Sequence, residues 1–231
     1  MRVSALLLMF LATQVWAGDS ISIAVAANFK PTLEKITEPF LADTGNVVTY
    51  STGATGMLAT QIEHGAPYDM FFAADAETPL TIVSSRTLPD SDAFCYARGS
   101  LVLAGGEGGL SALAQPRFTL AIANPATAPY GRAAMEVLSR PEFKAGEGRK
   151  LVRGNNVTQA YQFWESEAVD MALLPRALAP NATPVPLAWY QPLEQYAVVL
   201  RHNAAVDAYL KWLRSDTVRD LIKQAGYEPC P

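Results

Sequence analysis

The chain has 231 residues, of which 50% are hydrophobic and 17% charged, with a formal net charge of -4. That is enough apolar material for a large core in one or two domains. With no Lys/Arg run, it excludes a nucleic-acid groove and a polybasic membrane patch.

Met1-Arg2 opens the chain, followed by an apolar stretch from Ala5 to Ala12 and then Val15-Trp16-Ala17. A charged start, a short apolar run and a small-residue site form the pattern of a secretory signal, 1–17, cleaved after Ala17. The bland alternative is an uncleaved buried segment. The run is shorter than the roughly 20 residues that span a bilayer. No cysteine stands at the cleavage point, so a lipid anchor is not indicated. The expectation is an exported, periplasmic protein.

Alternating apolar runs and helical patterns follow. ISIAVAA (21–27) reads as a strand and 31–40 as a helix, with Pro39 in its last turn. VVTYS (47–51), a helix over 57–64, YDMFFAA (68–74) and a helix over 78–84 come next. SLVLAGG (100–106) and FTLAIAN (118–124) read as strands, and 131–139 as a helix. A short strand at 151–153, a helix at 157–165 and the strand VDMALL (169–174) follow. YAVVLR (196–201) is a strand, and helices at 204–214 and 216–224 finish the chain. This order predicts an α/β fold with mostly parallel sheets. Two β-rich stretches, near 95–103 and 194–201, read as hinge crossings between two lobes. The first lobe then holds 18–97 plus 198–231, and the second holds 98–197. Cys95 and Cys230 are the only cysteines. In an oxidising compartment they form one disulfide or stay as two buried thiols.

Ligands of open α/β sheets sit beyond the carboxyl ends of strands, at helix starts. Four such turns stand out: Ala26-Ala27-Asn28-Phe29, Thr52-Gly53-Ala54-Thr55-Gly56, Pro129-Tyr130-Gly131 and Gly154-Asn155-Asn156-Val157. Asn28 reads as an N-cap. None of the four contains an acidic residue. They share backbone N–H groups at positive helix ends, which together would hold an anion without a counter-cation. A cup without acceptors disfavours a protonated anion, whose O–H would be buried unpaired. That points to a fully ionised tetrahedral oxyanion rather than to phosphate.

AVAANF, GATG, GAPYDMFFAAD, NPATAPYG and NNVTQA occur in that order. The set resembles the periplasmic molybdate-binding proteins of ABC importers, over essentially the whole mature chain. The matching branch has Asn in the first turn and an NPxxAPYG motif. The resemblance implies the two-lobe type II periplasmic binding fold and molybdate or tungstate as ligand. It also implies a membrane permease and an ATPase as partners of a monomer that needs no cofactor. Molybdenum would be bound only as its oxyanion. Carried over by position, the binders are Ala27, Asn28, Thr55, Gly56, Tyr130 and Val157. Ala27 stands where the branch has Thr, and Thr55 where it has Ser. Asp75 reads as a turn cap and Arg132 as a solvated side chain.

Rival readings are weaker. A secreted enzyme lacks support: HExxH and GxSxG are absent. His64 and His202 lie apart, and the run Gly105–Gly109 lacks the GxGxxG spacing. A receptor for sulfate, thiosulfate or a small organic anion would share the fold. An organic acid usually needs an arginine clamp, and no arginine lies within the four turns.

Overall fold

The computed structural model describes residues 19–230, so the expected signal peptide lies outside the described residues. The chain forms two five-stranded sheets. The first is built from β1 (Ser20–Ala26), β2 (Val47–Gly53), β3 (Met70–Phe72), β4 (Ala93–Gly99) and β10 (Leu193–Val199). The second comprises β5 (Leu101–Gly105), β6 (Leu120–Ala123), β7 (Leu151–Gly154), β8 (Met171–Pro175) and β9 (Thr183–Pro184). Helices α1 (Lys30–Thr44), α2 (Thr55–Glu63), α3 (Glu77–Arg86), α6 (Ala204–Leu213) and α7 (Asp216–Gln224) accompany the first sheet. Helices α4 (Pro129–Leu138) and α5 (Val157–Glu165) accompany the second. Each sheet with its helices makes a lobe.

Strand order is β2-β1-β3-β10-β4 in one sheet and β7-β6-β8-β5-β9 in the other. The two lobes therefore share one spatial arrangement of strands, although the fourth strand comes last in the chain in one (β10) and first in the other (β5). In each sheet the βα units supply three parallel strands: β2, β1 and β3, and β7, β6 and β8. The antiparallel pairings come from the other two strands of each sheet, so parallel pairing is confined to the βα blocks. The outward crossing turns at Ser100, between β4 and β5. The return crossing precedes Leu193, because β10 pairs with the first sheet along its whole length. The boundary expected after residue 197 falls inside that strand.

The apolar runs become the core. Ile21, Ile23 and Val25 of β1 are fully buried against Leu33 and Ile36 of α1. Pro39 does not end α1, which runs on to Thr44. It sits on the exposed face, where water can take the Lys35 carbonyl that loses its amide partner. Gly45 ends the helix at φ 68°, donating its N–H to the Leu41 carbonyl.

Cys95 and Cys230 are joined by a disulfide spanning 135 residues of sequence. It ties the C-terminal segment to β4 beside α7. Closing so long a loop removes denatured-chain entropy. Replacing Cys230 by Ala should lower the unfolding free energy by about 2–5 kcal/mol, read by denaturant titration.

His202 follows β10 and bonds Asp207 through Nδ1 at 2.6 Å and Asp92 through Nε2 at 3.2 Å. The hydrogen bond to Asp207, then that to Asp92, raises its pKa above the ordinary value of 6.5. Its contribution to stability is therefore full below the unfolded pKa and is lost as pH rises through the folded one. With half the side chain exposed, the effect on stability is small. An NMR titration should place the His202 ring above 6.5 and should return it toward that value in Asp207→Asn.

Candidate functional site

Parallel pairing brings the turns together two by two. Ala26 lies opposite Gly53 at the ends of β1 and β2, and Ala123 opposite Gly154 at the ends of β6 and β7. One bond closes each pair in the same way: Ala27 N–H to the Gly53 carbonyl at 2.9 Å, and Asn124 N–H to the Gly154 carbonyl at 2.8 Å. The two lobes then face each other, and all four turns line one small cavity. Its volume is about 10 Å³, room for little more than one small group.

The helices that end there are poorly capped. The N-cap positions of α1, α2 and α4 are Phe29, Ala54 and Ala128, and none makes a side-chain cap. Phe and Ala have no oxygen with which to hold the first N–H groups. At α5, Asn156 caps only the Gln159 N–H, at 3.0 Å. The N–H groups of Asn28, Thr55, Tyr130 and Val157 have no acceptor among the described residues. They remain as donors at the positive ends of four helix dipoles.

Thr55 adds a fifth donor. Its Oγ1 accepts the Ala74 N–H at 3.0 Å, so its own proton is left to donate elsewhere. Thr55 is only 1% exposed, and the cavity is the space beside it. No carboxylate and no cationic side chain lines the cavity. Among the described residues no group of His, Cys, Asp and Glu is placed to hold a metal ion. Burial pushes the Tyr130 hydroxyl well above the usual phenol range, so it stays neutral beside the site.

Three expectations about the binders change. Ala27 lines the cavity, but its N–H is committed to Gly53, so it offers a methyl wall and no donor. Gly56 lies outside the cavity lining; its N–H crosses the cleft to the Thr127 carbonyl at 2.9 Å. A Cβ on Gly56 would come within 3.2 Å of that oxygen, so glycine lets the lobes meet. Asn28 is not an N-cap. Its Nδ2 donates into the core, to Gln195 Oε1 at 2.8 Å and the Tyr227 hydroxyl at 3.1 Å. Only its backbone N–H is free for a ligand.

Asp75 accepts the Thr78 N–H at the start of α3, and its second oxygen meets Arg132 of the other lobe at 2.7 Å. Arg132 is thus a cross-cleft partner rather than a solvated side chain. Gly131 lets α4 sit against β6, because a Cβ there would overlap the Ala123 carbonyl. Ala74 and Gln195 carried no local signal and were not expected at the site. Both act on it through tertiary contacts alone.

A family model described as bacterial extracellular solute-binding protein matches residues 21–228. The chain belongs to that family. The molybdate-binding protein ModA of Azotobacter vinelandii is 34% identical, over 90% of this chain and 89% of its own length. That of Rhodobacter capsulatus is 35% identical, over 96% and 92%. The solved structure of the Azotobacter vinelandii periplasmic molybdate-binding protein superposes with a TM-score of 0.81 at 31% identity. It covers 91% of this chain and 100% of that one. The family resemblance read from the sequence motifs is thereby shown.

For this family member, Thr55→Val should weaken binding of an oxyanion by about 1–2 kcal/mol, whereas Thr55→Ser should stay within about 0.5 kcal/mol. Val157→Pro removes one N–H at a first-turn position that tolerates proline, and should cost about 1.5–3 kcal/mol. Calorimetric titration reads both.

Proposed function

We propose that the protein captures molybdate, and also tungstate, with high affinity in the periplasm and delivers it to an ABC importer. The observation that carries this reading is the cavity itself: four helix starts, each with an unpaired N–H, and a threonine hydroxyl around a space lined by no charged side chain. Neutral, fixed donors suit a dianion, since they offer hydrogen bonds without a counter-charge. The absence of a carboxylate from the lining supports a fully ionised tetrahedral ion over hydrogen phosphate. The names of the relatives support molybdate in particular.

The mechanism is a clamp. The ion docks on the donors of one lobe, and hinge rotation at the two crossings brings up the donors of the other. Closure is a population shift driven by contacts that only the closed form makes. A membrane permease and its ATPase then read the closed form. The protein acts as an exported monomer, binds without a cofactor and carries out no reaction on its ligand. Molybdenum enters only as its oxyanion. Sulfate is the second reading, since it presents the same charge and geometry to the same donors, and only size separates the two ions. An organic acid fits less well, because no arginine lines the cavity.

The test is calorimetric titration of anion-free protein with molybdate, tungstate, sulfate and phosphate in separate runs. The reading predicts tight 1:1 binding of the first two and far weaker binding of sulfate and phosphate. Sulfate binding tighter than molybdate would move the assignment to the second reading. Absence of heat with all four ions would sink both.

A further inference from the structure

The two halves of the site are joined from behind by one buried amide. Gln195 lies on β10 and is 0% exposed. The β10–β4 register shifts between Gln195 and Tyr196, an irregularity of the kind that re-aims a side chain. Gln195 Oε1 accepts from Asn28 Nδ2 at 2.8 Å and lies 2.9 Å from the Tyr96 hydroxyl, whose single proton it shares with the Ala73 carbonyl at 2.8 Å. Its Nε2 donates to the Tyr130 hydroxyl at 3.1 Å. Turning the amide over would set Nε2 against Asn28 Nδ2, donor against donor. The Tyr227 hydroxyl fixes Asn28 further by donating to its carbonyl at 2.8 Å. Gly99, at the other crossing, leaves room for this arrangement: a Cβ there would overlap the Tyr130 hydroxyl and lie 2.6 Å from Gln195 Nε2.

Asn28 and Tyr130 each contribute one unpaired N–H to the cavity, from opposite lobes. Behind each N–H, the side chain of the same residue ends on Gln195. We propose that Gln195 is a positioning residue that sets the spacing between these two donors in the closed form, and so discriminates among oxyanions by size. This inference rests on the oxyanion reading above.

Gln195 and its partners Asn28 and Tyr96 all belong to the first lobe, so they move together. The bond to Tyr130 spans the lobes, so parting them strains or breaks it. In the open form water replaces it. In the closed form a missing partner leaves a buried amide donor unpaired, so the cost falls on closure. Donors held at one spacing fit one ionic radius. Donors released from that spacing can close on a smaller ion, and the larger ion then loses its advantage.

Tyr130→Phe removes the hydroxyl and keeps the backbone N–H that faces the cavity. Gln195→Met removes the amide, and with it the bond to Tyr130, without introducing a charge. Affinities for molybdate and for sulfate, the molybdate dissociation rate and the anion-free melting temperature would be measured for each. Tyr130→Phe should melt near the wild type without anion. It should bind molybdate about fivefold more weakly or worse, mainly through faster dissociation. Its molybdate-to-sulfate affinity ratio should narrow. The double variant should bind no worse than Gln195→Met alone, since both substitutions remove the Tyr130–Gln195 bond. A Tyr130→Phe protein with the wild-type ratio overturns the inference while leaving the oxyanion reading intact. Wild-type protein that binds neither ion overturns that reading and the inference together.

Discussion

The arrangement depends on one constraint: four helices begin at the same buried point, and among the described residues nothing accepts the N–H groups of Asn28, Thr55, Tyr130 and Val157. Buried amides without partners are costly and rare in folded proteins. Phe29, Ala54 and Ala128 stand where capping residues would normally be, so the protein leaves the donors open. Two conditions satisfy them. Either the cleft admits water, or an acceptor of matching shape fills it. The cavity is too small for much water and carries no charge of its own.

The cross-cleft contacts follow from this. Gly56 to Thr127 is a single backbone bond, Arg132 to Asp75 is an ion pair with its arginine nearly half exposed, and Tyr130 to Gln195 is a single side-chain bond. Each is modest, and an exposed ion pair contributes least. Ala26, Ala27 and Ala54 of the first lobe pack with Ala128, Tyr130 and Val157 of the second in one apolar cluster. The first lobe's side chains here are all alanine, so the lobes approach closely with little interlocking from that side to hold them shut. The lobes can therefore part and rejoin, and a ligand that bonds both of them biases the balance toward closure.

Much of the fold was legible because apolar periodicity is a local signal. The helices at Val157–Glu165 and Asp216–Gln224 have the bounds that their patterns predict. The four turns were legible as strand-to-helix junctions rich in glycine, asparagine and threonine. Their meeting was not, because it depends on the register of β1 with β2 and of β6 with β7, and on the facing of the lobes. The roles of Asn28 and Gly56 were misread for the same reason. An asparagine before a helix looks like a cap, but Gln195, 167 residues away, claims its amide. A glycine after a strand looks like room for a ligand, but here it makes room for the other lobe. The split of the first crossing into β4 and β5 also escaped the pattern, since β4 carries Arg98 and Gly99 at its end and only Ser100 separates it from β5.

The most direct measurement is the crystal structure of the protein with tungstate, located by its anomalous signal. The account predicts one strong peak in the cavity between the lobes, with oxygens about 2.7–3.1 Å from the N–H groups of Asn28, Thr55, Tyr130 and Val157. It also predicts no charged side chain in contact with the ion. A peak outside that cavity, or an ion held by an arginine or lysine that has swung into it, would contradict the account.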